Sequence, residues 1–198
     1  MHPRRYGDAG QAFPIYITVV AGLLFLAFAY LAVGQAAATR NEAQTAADAA
    51  ALAAAQDRRD QLARQWLENV LDPTLWQGIF DGDVDGLDLS CWRADQLAAQ
   101  NGAHVEDCDP GLLSYTVKVE TDEPVGETIV PGTEGQYATA YATAVIEPRC
   151  TFDLPAEDAG DEVLPGLTCK DNRNWDLNPE DLIELPGPED LFDVHLAD

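Results

Sequence analysis

Phe13–Val33 reads FPIYITVVAGLLFLAFAYLAV, and after Gly34 and Gln35 it runs into AAATRNEAQTAADAAALAAAQDRRDQLARQWLENVLD, residues 36–72. The first stretch carries no charge over 21 residues. At the helical rise that length covers roughly 30 Å, the thickness of a bilayer's hydrocarbon core. Pro14 falls in the first turn, where its missing N–H is tolerated, and Tyr16 and Tyr30 lie near the two ends, where amphipathic rings favour the interface. Small-x-small triplets at 27–29 and 36–38 offer a rival reading as a cleaved secretory signal. The apolar run exceeds the usual signal core, which favours a retained anchor.

Charge placement orients the span. Arg4 and Arg5 precede it with Asp8 the only acid, whereas nine basic residues face 34 acids after it. Basic flanks stay on the cytoplasmic side, which assigns residues 1–12 to the cytoplasm, 13–33 to the membrane and the remainder to the outside of the cell membrane. The formal net charge of -24 excludes nucleic acid as a partner, because such a surface repels phosphate backbones.

Alanine has the highest helix propensity, and neither Gly nor Pro occurs between Gln35 and Asp72. The spacing predicts one helix leaving the bilayer and reaching toward Leu71, with Asp72-Pro73 as its stop. Arg40, Gln44 and Asp48 form a polar stripe, and Ala43, Ala47, Ala50 and Ala54 form a face of small side chains. That face suits close approach by another helix and is the expected assembly surface; packing on the chain's own domain is the competing reading. Leu62, Trp66, Leu67, Val70 and Leu71 form a bulkier apolar side expected in the core.

Gly10-Gln11-Ala12, the apolar span and the run Gln44–Ala53 (QTAADAAALA) together resemble the N-terminal region of TadG-related proteins of the tight-adherence (Flp) pilus assembly group, with their TadE-like pseudopilin relatives. The resemblance covers about residues 7–56. It implies a non-catalytic, membrane-anchored component of a pilus or secretion apparatus, meeting other subunits through the N-terminal helix. Pilin precursors are cleaved after Gly with Glu at the fifth mature position. A cut after Gly10 would place Ile15 there, so that processing is not expected.

Residues 73–170 read as a small α+β outer domain, giving an α+β chain overall: a long transmembrane-plus-extension helix, then a disulfide-stapled domain with an antiparallel hairpin or sheet. A loop to Leu89 leads to a short helix near Arg93–Gln100, with His104 in a following loop. Ser114–Thr121 and Tyr137–Glu147 alternate with the period of strands and pair across a loop rich in Pro, Gly and Glu. Cys91, Cys108, Cys150 and Cys169 make an even set in an oxidising compartment, so two disulfides are expected. Three connectivities are open, and the sequential one, Cys91–Cys108 with Cys150–Cys169, closes two loops of similar size. Residues 171–198 read as an acidic, solvated tail containing the echo Pro179–Leu182 and Pro188–Leu191, with docking through Leu182, Ile183, Leu185, Leu191 and Phe192 as the alternative.

Asp81-Gly82-Asp83-Val84-Asp85-Gly86 matches the first half of a calcium-binding loop, making Asp81, Asp83 and Asp85 candidate metal ligands. Leu89 and Trp92 occupy its ninth and twelfth positions, so the closing bidentate acid is missing and binding would be weak. An anchored extracellular module with weak calcium dependence is therefore the alternative function; no other cofactor is expected. Hydrolytic chemistry finds no motif: His2, His104 and His195 are scattered, and neither Ser90 nor Ser114 sits in a nucleophile elbow.

Overall fold

The computed structural model describes residues 12–124, 135–154, 164–180 and 185–197. A single helix, α1 (Ala12–Glu68), contains both the apolar stretch and the alanine-rich one. It stops short of Leu71. The Asn69 side-chain amide donates to the Gln65 carbonyl (2.8 Å), and the Trp76 indole N–H donates to the Asn69 carbonyl (3.0 Å). These bonds satisfy groups at the helix end and turn the chain before Pro73. Two short helices follow, α2 (Trp76–Phe80) and α3 (Cys91–Gln100).

Strands β1 (Ala103–Pro110), β2 (Ser114–Thr121), β3 (Thr139–Pro148) and β7 (Phe192–Leu196) form an antiparallel sheet in the order β1-β2-β3-β7. Tyr115↔Ala144 and Glu120↔Thr139 set the β2–β3 register. Period-two alternation then sends Tyr115, Val117 and Val119 to the same side as Ala140, Ala142, Ala144 and Ile146, all of them buried. Helix α1 lies on that side, and its Ala43, Ala46, Ala47, Ala50, Ala51, Ala54 and Ala55 are fully buried. Methyl groups on both helix and strand let the two elements approach closely.

A second sheet, β4-β5-β6, joins Cys150–Thr151, Leu167–Cys169 and Asn174–Trp175. Aromatic rings connect the parts: Trp66 to Trp76 (5.3 Å between centroids), Trp76 to Phe152 (5.3 Å), Phe152 to Phe80 (5.7 Å) and Phe80 to Phe192 (5.3 Å). This chain of rings draws α1, α2, the segment after β4 and the start of β7 into one core.

Three local expectations change. The 73–89 segment, expected as loop, contains α2, because Trp76, Ile79 and Phe80 bury against α1. His104 stands on β1 rather than in a loop; its strand is rich in acids and bulged between Val105 and Asp107, features of a protected sheet edge. The expected solvated tail holds α4 (Pro188–Leu191) and β7, with Leu191 and Phe192 buried. The Arg149 N–H donates to the Leu191 carbonyl (2.8 Å), and the Gly187 N–H to Asp190 Oδ2 (3.1 Å). Of the tail's echo, residues 181–184 lie outside the described residues, including Leu182 and Ile183.

Candidate functional site

The two halves of α1 present opposite surfaces. From Ile15 to Val33 its large apolar side chains are exposed on every side, Phe25 and Tyr30 by 72% and 83%. No residue of the most apolar window of the helix is buried by the rest of the described chain. A helix apolar all round and uncovered by its own protein has the form of a membrane span, and this one is long and apolar enough to cross a bilayer. Its one hydroxyl at depth, Thr18, is satisfied by donating to the Pro14 carbonyl (2.9 Å).

From Ala43 onward the helix is occupied by its own head. Ala43, Ala47, Ala50 and Ala54, expected as an assembly surface, are each 0% exposed. Their small face is buried within the chain's own head, where α1 lies against β2, β3 and α3. The parts of α1 left exposed are its apolar half and the stripe containing Arg40, Asn41 and Glu42.

A buried polar joint fixes the helix to the head. Gln61, on α1, donates from Nε2 to Ser90 Oγ (3.1 Å) and to Asp57 Oδ2 (2.9 Å), and accepts from the Asp88 N–H (2.7 Å). The Ser90 N–H donates to the Tyr115 hydroxyl (3.3 Å), carrying the connection to β2. Gln61 and Ser90 are both buried. The sequence reading overlooked this set; its signal is a lone amide, Gln61, beside Leu62 on the helix side read as core.

Cys91 is bonded to Cys108 and Cys150 to Cys169. The first ties α3 to β1. The second joins directly opposed residues of β4 and β5. Asp81, Asp83 and Asp85 are exposed on the turn between α2 and α3. Asp81 accepts from Gln77 Nε2 (2.9 Å), and among the described residues no group of three or more His, Cys, Asp or Glu is gathered to hold a metal ion. The calcium reading rests on the sequence pattern alone.

On the sheet face away from α1, Lys118 pairs with Glu106 (2.5 Å) and lies over the Tyr141 ring (5.6 Å from Nζ to the centroid). The hydrogen bond that Lys118 donates to Glu106 holds the lysine's pKa above its ordinary 10.5. His104 contacts Asp122 (2.9 Å), and His195 contacts Asp193 (3.4 Å), on strands at opposite edges of the sheet. The two are not brought together with Ser90 or Ser114 in any nucleophilic arrangement among the described residues.

Fold and surface together define a class: a small disulfide-bonded α+β head mounted on a helix whose other half is built for a membrane. Residues 10–57 match the Tad family model, described as Flp pilus-assembly TadE/G-like. The match takes in the membrane half of α1 and the alanines docked on the sheet, so this N-terminal part of the chain is TadE/G-like, and residues 58–198 lie beyond it. No curated protein and no solved structure matches the chain.

Proposed function

We propose that the protein is a non-catalytic, membrane-anchored component of a Flp/Tad-type pilus or related secretion apparatus. In this reading residues 1–12 stay in the cytoplasm, the span crosses the cell membrane, and the head stands outside it. The observation that carries the reading is the division of α1 within the TadE/G-like region: one half bare and apolar, the other half covered by its own sheet. Lateral contacts with other subunits then run through the membrane half, where small residues such as Gly22 leave open space around the backbone.

The test is the mature N-terminus and intact mass of the protein, taken from membranes and from sheared surface filaments, with protease added to intact cells. An uncleaved chain confined to membranes, with its head digested from outside, supports an anchored assembly component. A chain beginning at Gln11 in the filament fraction would make it a pilin-like filament subunit. A soluble chain beginning beyond Ala29 would overturn the anchor.

A further inference from the structure

Three covalent or close contacts bring two separate turns together. The Cys91–Cys108 bond holds the first turn of α3 against β1, with Cα atoms 6.0 Å apart. The Ser90 N–H reaches the Tyr115 hydroxyl. A Cβ added to Gly82 would meet the Leu112 carbonyl at 2.7 Å, so the α2–α3 turn abuts the β1–β2 turn. Leu89 and Trp92 flank Cys91 on one side of this junction and Leu112 lies on the β1–β2 turn, and all three are exposed, by 66%, 56% and 57%. None of them is needed to fill the core, which closes beneath them on Ser90, Ala94 and Tyr115.

The rim of this region is acidic. Asp81, Asp83, Asp85 and Asp88 line the first turn, and Asp109 lies beside Cys108 near the end of β1; all five are exposed. None of the five makes an ion pair among the described residues. Arg93, next to Trp92, is spread over that residue's ring at 5.3 Å. Five exposed carboxylates without ion-pair partners among the described residues, around large apolar side chains, form a surface complementary to a cationic amphipathic segment. A second copy is a poor occupant, since each chain carries a net charge of -24 and like charges would face each other across the contact.

We propose that Leu89, Trp92 and Leu112, within the rim of Asp81, Asp83, Asp85, Asp88 and Asp109, dock a segment of a partner protein that carries large apolar anchors flanked by lysine or arginine. The exposed indole and leucines supply the contact area, as aromatic anchors do at interface centres, and the carboxylates steer the approach. The inference is independent of membrane orientation and of pilus membership.

The full chain in phosphatidylcholine nanodiscs is titrated against three fluorescein-labelled 12-residue peptides: one of Lys and Leu, one of Lys and Ser with the same charge, and one of Glu and Leu. Empty discs provide the blank. The Lys/Leu peptide is expected to bind about tenfold more tightly than either other peptide. Trp92→Ser with Leu112→Ser should remove that preference, whereas Tyr141→Ser, on the sheet, should retain it. Equal binding of the two Lys peptides, or a preference unaffected by the double substitution, overturns the proposal. So does self-association of the chain that the same substitutions abolish, since the patch would then seat a second copy.

Discussion

At the residue scale the structure rests on side chains too small or too well paired to replace. Ala50 is fully buried between α1 and the head. Ala50→Leu adds three carbons where no space exists, and overpacking of this kind costs about 1–3 kcal/mol. Denaturant unfolding of the detergent-solubilised chain should show the loss, and an unchanged midpoint would mean that the helix and sheet are not in contact. Gln61→Ala leaves the Ser90 hydroxyl and the Asp88 N–H short of partners within the protein, at a cost of about 1–3 kcal/mol. Hydrogen exchange should then quicken at residues 87–90 before it quickens at β2. The Lys118 pair has a defined sign with pH. Because the folded lysine's pKa is raised, its contribution is fully present below 10.5 and fades as pH rises through the folded value. Glu106→Gln should flatten that small alkaline dependence of the melting temperature.

At the scale of elements, the second disulfide is the joint to test. Cys150–Cys169 closes a loop of 19 residues, and Phe152, just after Cys150, packs on Trp76 and Phe80. Cys150→Ser with Cys169→Ser should destabilise the head by about 3 kcal/mol in the chain-entropy account. Near-ultraviolet circular dichroism should report the loosened ring cluster, and retention of the native signal at the native midpoint would show that the bond is dispensable.

Much of this scale was legible in the sequence. The alternation in Ser114–Thr121 and Tyr137–Glu147 determines which side of each strand is buried, and the alanine run determines a helix. What escaped notice depended on tertiary context. β1 contains Glu106, Asp107 and Asp109, acids that local preference assigns to loops, and it becomes a strand because β2 offers it an edge. β7 has only five residues, Asp193 and His195 among them, and its place was visible only once β3 had an unpaired side. Trp92 and Leu89 were read as gaps in a calcium loop, whereas their exposure is a property of the folded surface.

At the scale of the whole molecule, the division of α1 predicts how it partitions. Leu24 is exposed in the middle of the span. Leu24→Arg adds a charge at bilayer depth, worth about 2.5–3.5 kcal/mol against insertion on biological scales. The variant should lose a measurable fraction from the carbonate-resistant membrane pellet while its head keeps native disulfides. Equal retention would mean that the helix lies elsewhere than in the hydrocarbon.

The same division has a mechanical side. α1 passes from Val33 to Ala43 as unbroken helix, with no proline between its bare apolar half and the half covered by the head. Apolar half and head are thus joined by continuous helix, and the helix acts as a lever rather than a loose tether. From Val33 to Glu68 the arm is roughly 50 Å long, so a tilt of about 10° within the membrane swings its far end by roughly 9 Å. Rotation of the span about its own axis turns the face of the head by the same angle. A neighbour that grips only the bare apolar half of this helix therefore aims the covered half and the head with it, and a force on the head is felt as torque on the apolar half.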